Sequence, residues 1–96
     1  MRKLKIQGDI VTIHPAEPVF TSGVVSRLTG IPVWVLKQLD RERIISPERP
    51  RGHDRLYSHR ELRQLKHIWH LMEKRSVTIS GVKVILEIET GSYHEE

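Results

Sequence analysis

The apolar positions of this chain change their spacing several times, and each change marks an element. Val24, Val25 and Leu28 fall on one face of a short helix over residues 22–28, with Ser22 as its cap. Gly30 interrupts that pattern as a helix-ending residue, able to take positive φ at no steric cost. Pro32 suits the first turn of a new helix, where its missing N–H is not needed. Val33, Leu36 and Leu39 then recur at steps of three, predicting a second helix from residue 33 to about 43. With that face buried, Trp34, Lys37, Gln38 and Arg41 point outward. Two helices around a glycine-bearing turn, the second with a basic outer face, form the pattern of a helix-turn-helix.

Past this helix the periodicity stops. Ile44, Ile45 and Ser46 lead to Pro47, and residues 48–54 (ERPRGHD) are polar, basic and broken by Pro50 and Gly52. Arg55, Leu56 and Tyr57 then alternate as a short strand does. Residues 46–57 read as a two-stranded wing with Arg49, Arg51, His53 and Arg55 along it; the plainer alternative is a solvated basic loop.

Ser58 and Glu61 make a capping box that opens a helix running to about residue 74. Leu62, Leu65, Ile68, Trp69 and Met72 line one side of it, which makes Trp69 a core residue. Thr78 caps a last helix from residue 79 to about 89, with Val82, Ile85 and Leu86 facing inward, and residues 92–96 form an acidic tail. At the other end Leu4, Ile6, Ile10, Val11 and Ile13 alternate in part, so residues 1–18 make either a small hairpin or an arm. Lys3 and Lys5 would touch phosphate if this were an arm. Pro15 and Pro18 predict an extended linker over residues 14–18, and Val19 and Phe20 a staple against the first helix.

The predicted fold is therefore mainly α: a winged helix-turn-helix over residues 19–90, with about four helices and a two-stranded wing, between the arm and a tail over residues 91–96. Ninety-six residues allow one modest core but no lobed enzyme cleft. The longest apolar run is a few residues, too short to span a membrane, and the first nine residues (MRKLKIQGD) lack the apolar stretch of a signal peptide. A location in the cytoplasm is the simplest expectation.

Charge sharpens the picture through its distribution. The net value is +4. Residues 27–75 hold twelve Lys or Arg against six Asp or Glu, a local balance of +6, while residues 76–96 hold one against four, or −3. The positive charge thus sits on the helix-turn-helix, the wing and the helix after it, as a surface that neutralises phosphates requires; the plainer alternative for so small an excess is a solvated face.

Candidate chemistry of other kinds is thin. There are no cysteines, which removes disulfides, thiolate metal sites and thiol catalysis. His67 and His70 stand three apart on one helix with His59 upstream, but no carboxylate at ligand spacing joins them, so no metal is expected. No nucleophile elbow, paired-carboxylate set or phosphate-binding loop is present, so neither an enzyme nor a cofactor is expected.

The run LTGIPVWVLKQLDRERIISPER, the wing ending RLYS, and the segment LKHIWHLMEKRSVTISGVKVILEIE resemble the MerR family of bacterial winged-helix regulators. Within that family the likeness is greatest to the heat-shock repressor branch, and it extends from Val19 to about Glu89. The resemblance implies a duplex-DNA-binding regulator of transcription, probing the major groove with its second helix and straddling the backbone with its wing. It implies phosphate and minor-groove contacts for Arg51, Arg55 and Tyr57. Outward-facing Gln38 suits bidentate contact with adenine and Lys37 suits guanine or phosphate, while Ser22 opens a helix whose N–H groups can meet a phosphate oxygen. Members of the heat-shock branch repress stress genes with the chaperone DnaK as co-repressor. Two departures stand out: Trp34 occupies a position where many members carry a polar or basic residue, and Leu39 replaces an aromatic.

Many members also dimerise through a long coiled coil, and no heptad run follows Ser76 here. A homodimer through another surface, side-by-side assembly on DNA, and a longer natural protein all remain open. Among functions, a repressor of stress or chaperone genes stands first. An excisionase-like or architectural DNA-binding factor is the second class. A protein-interaction module such as a chaperone modulator is the third, and the basic outer face of the second helix speaks against it.

Overall fold

Elements in the computed structural model, which describes residues 2–6, 9–50, 52 and 54–90, follow the order β1 (Arg2–Ile6), β2 (Asp9–Ile13), β3 (Phe20–Thr21), α1 (Ser22–Thr29), α2 (Val33–Arg41), β4 (Leu56–Tyr57), α3 (His59–Lys74) and α4 (Ile79–Glu89). The mainly α, winged helix-turn-helix reading is borne out.

Local chemistry explains the boundaries. Thr21, held extended by its strand, caps α1 by accepting from the Val24 N–H at 3.3 Å, so Ser22 is the first helical residue and not the cap. Gly30 ends α1 at φ 79°, its N–H donating to the Ser26 carbonyl at 2.8 Å. Pro32 precedes α2, and its carbonyl accepts from Val35 and Leu36. At the far end of α2, the Ile44 N–H donates to the Leu39 carbonyl and that of Arg43 to Asp40, with Arg43 at φ 58°. This is a Schellman motif with an arginine where glycine is usual. The capping box of α3 is complete: Ser58 Oγ accepts from the Glu61 N–H at 3.1 Å, and the Ser58 N–H donates to the Glu61 carboxylate at 2.8 Å.

The core is Val25 of α1, Ile31 in the turn, Val35, Leu36 and Leu39 of α2, Ile45, Tyr57, Leu62, Leu65 and Ile68 of α3, and Val82 of α4. Phe20, Trp69, Met72 and Leu86 pack around it half-buried. Two sequence expectations are corrected here. On α1 only Val25 is buried, while Val24 and Leu28 are 40% and 56% exposed, because the helix turns its Ser22, Val25, Ser26 and Thr29 side to the body. On α2 the buried stripe is centred on Val35, Leu36 and Leu39, and Val33 is only half-buried. Steps of three fall about 60° short of a full turn, so Val33 lies about 120° round the helix from Leu39.

β3 and β4 pair antiparallel, with Phe20 opposite Tyr57 and Thr21 opposite Leu56. On its other side Leu56 donates its N–H to the Glu48 carbonyl at 2.9 Å, the bridge that closes the wing. The wing base is therefore stitched to the entrance of α1. At the N-terminus, β1 and β2 form an antiparallel hairpin with Arg2 opposite Ile13 and Ile6 opposite Asp9, one of the two options left open by the alternation. Residues 14–17 close a turn rather than running extended: the His14 carbonyl accepts from the Glu17 N–H at 2.9 Å. The Pro15 carbonyl takes the Arg60 N–H at 2.9 Å, fastening this turn to the first turn of α3. The predicted tail, residues 91–96, lies outside the described residues.

Candidate nucleic-acid interface

On α2 the positions i, i+3, i+4 and i+7 from Trp34 bring Trp34, Lys37, Gln38 and Arg41 onto one stripe, opposite the stripe of Val35, Leu36 and Leu39. Trp34 is 67% exposed, Lys37 and Arg41 are exposed, and Gln38 is half-buried. Gln38 lines a shallow hollow together with Glu42, Ile44, Thr78 and Lys83. The helix is thus divided lengthwise into a core face and a face of one aromatic, two cations and one amide.

The wing arginines are placed less simply. Asp40, on the last turn of α2, receives Arg49 Nη2 at 3.0 Å and Arg55 Nε at 2.5 Å, both on its Oδ2. These two arginines stand on opposite limbs of the wing, so one carboxylate holds both. Burial would push the Asp40 carboxyl up, but the hydrogen bonds and charges of Arg55 and Arg49 outweigh it and hold it below the usual carboxylate range. Asp40 carries no signal in the sequence, since a lone acid on a basic helix is ordinary until the wing folds back onto it. Arg51 and His53 lie outside the described residues.

Tyr57 requires a correction. It is 0% exposed and belongs to the core beneath the wing, so its phenol does not stand on the outer surface. Alternation along the return strand turns Tyr57 inward, where Phe20 opposes it across the sheet. Burial pushes the phenol above its ordinary range; the Ser22 side chain pulls the other way, although the oxygen has no hydrogen bond of ordinary geometry among the described residues. Ser22 is half-buried beside it rather than projecting from the helix entrance.

The histidines divide. His67 Nε2 sits 3.0 and 3.2 Å from the two Glu89 carboxylate oxygens, joining α3 to α4. His59 meets Phe20 edge to face, with ring centroids 6.1 Å apart. Among the described residues no group of three or more His, Asp or Glu gathers to hold a metal, and no helix is long and apolar enough to cross a membrane.

The model of the MerR helix-turn-helix family of regulatory proteins matches residues 20–88, from the strand before α1 to the last turn of α4. The chain belongs to the MerR family. Its relatives include the candidate heat shock protein HspR of Streptomyces coelicolor, 33% identical over 72 residues, which cover 75% of this chain and 48% of that protein. The chain spans about half the length of the curated relative it matches. Family membership fixes the coarse reading, that of a helix-turn-helix regulatory protein.

Proposed function

We propose that this chain binds duplex DNA in a sequence-specific way and represses stress or chaperone genes, with α2 in the major groove and the wing against the backbone. The observation that carries this reading is the lengthwise division of α2, whose core-free face presents Trp34, Lys37, Gln38 and Arg41 together. Gln38 offers an amide to an adenine edge and Trp34 an apolar plate to a thymine methyl, while Lys37 and Arg41 neutralise phosphates or meet guanine. Arg49 and Arg55, with Arg51 and His53, add the wing contacts. Likeness to a heat shock protein supports the choice of regulated genes, and the family branch makes the chaperone DnaK the co-repressor to test. Two copies on adjacent half-sites, as a dimer or side by side, fit the symmetry usual for this motif.

Selection from random duplexes, followed by gel shifts at several salt concentrations, tests the proposal. Lys37→Ala should weaken binding to all sequences alike and lower the salt slope by about 1, whereas Gln38→Ala should flatten preference at one or two base pairs. A wild-type chain that enriches no sequence would overturn it.

A further inference from the structure

Asp40 is the acid of α2, and it sits at the seam between the core face and the outward face of that helix. A carboxylate there is unfavourable for DNA binding by charge alone. Yet its surroundings are built around it: its side chain is 13% exposed, and Arg49 and Arg55 both donate to the same oxygen. Arg49 lies on the outgoing limb of the wing and Arg55 on the returning limb. Between these limbs, among the described residues, the backbone supplies a bridge from Glu48 to Leu56 and a turn bond from the Gly52 N–H to the Arg49 carbonyl. The returning limb is also tied by its backbone to the entrance of α1, and it is through the side chains of Arg49 and Arg55 that both limbs meet α2 at Asp40.

We infer that Asp40 is a positioning residue for DNA recognition: its carboxylate latches both limbs of the wing to the reading helix and so sets the angle at which the two engage one duplex. The inference rests on the DNA-binding reading proposed above. A guanidinium carries five N–H donors, and each arginine gives one to Asp40, so both keep donors for phosphate while their planes are held. Asp40 therefore orients these cations without consuming them. Held in advance, they lose less freedom on binding, and their geometry matches only a duplex whose base edges also suit α2.

Simple electrostatics and the latch make opposite statements about Asp40→Asn. Removing a negative charge from a DNA-binding surface should tighten binding to every duplex. Releasing a latch should leave binding to random duplex unchanged or tighter, with a steeper salt slope, while affinity for the selected site falls about tenfold or more. The experiment measures both affinities across salt for the wild-type chain, Asp40→Asn, Arg49→Gln, and the pair Arg49→Gln with Arg55→Gln, with melting curves to confirm folding. The ratio of specific to random affinity should drop in Asp40→Asn and less in Arg49→Gln. In the doubly substituted chain, adding Asp40→Asn should change that ratio no further. Equal tightening on both duplexes, or an unchanged ratio, overturns the inference while leaving the DNA-binding reading standing. A wild-type chain without sequence preference overturns both. Should Asp40→Asn not fold, Arg49→Gln decides, since Arg49 is the more exposed partner at 41%: a ratio equal to wild type then refutes the latch.

Discussion

Replacing Tyr57 by phenylalanine deletes one oxygen from the centre of the molecule and leaves the ring. The ring is 0% exposed and the oxygen has no hydrogen bond of ordinary geometry among the described residues. A buried polar group without a partner costs about 1–3 kcal/mol. The Ser22 side chain, which acts on the phenol, recovers part of that. The expected outcome is a gain of about 1 kcal/mol, which in a domain of this size raises Tm by about 4–8 °C. Thermal and urea unfolding of both chains, with unchanged urea slope, would measure it.

Alkaline pH supplies a second reading of the same change. Burial raises the folded phenol above its ordinary value, so its contribution to stability is complete below the unfolded pKa of about 10 and is lost as pH rises through the folded value. The advantage of Tyr57→Phe should therefore widen above about pH 10. Its affinity for DNA should equal that of wild type, because the hydroxyl is not on the surface. A variant less stable than wild type by 1 kcal/mol would show that the hydroxyl is hydrogen-bonded after all. A variant equally stable but weaker on DNA would restore the backbone contact that the family resemblance implies for this tyrosine.

Arg43→Gly should stabilise the chain by about 0.5–1 kcal/mol, seen as a higher urea midpoint: the left-handed conformation costs a side-chain-bearing residue about 1–2 kcal/mol, and the entropy of glycine returns part of that. Asp40 governs the acid limb. The hydrogen bonds and charges of Arg55 and Arg49 hold its folded carboxyl below the ordinary carboxylate range, so its contribution is present above about pH 4 and lost as pH falls through the folded value; Asp40→Asn should flatten the stability profile below about pH 4.

Elements were legible wherever periodicity and punctuation agreed. Gly30, Pro32, the Ser58–Glu61 box and Thr78 all fall at helix ends because each satisfies or removes a terminal backbone group, a local requirement that sequence alone can show. The outward stripe of α2 was legible for the same reason. What escaped depends on pairing at a distance. Ile31 is wholly buried but stands alone between two helices, outside any periodic run. Thr21, which caps α1 in place of Ser22, pairs with Leu56 from 35 positions away. The wing motif alone places Tyr57 outward, although a two-residue strand must turn one side chain in, and the neighbour across the sheet decides which.

The same distance effect changes how the positive charge should be read. A balance of +6 over residues 27–75 counts every cation as equally available. In the folded chain Asp40 sets two arginines in fixed positions and offsets one of their charges, while Lys37 and Arg41 remain exposed without an ion pair among the described residues. Affinity measured by counterion release responds to charges that meet phosphate, about 0.9 per contact, whatever their orientation. Specificity responds to orientation. On the proposed DNA-binding reading, the exposed pair on α2 bears chiefly on how tightly any duplex is held, and the Asp40 cluster on which duplex is held, so the two groups should separate in a salt titration even though the sequence presents them as one basic surface.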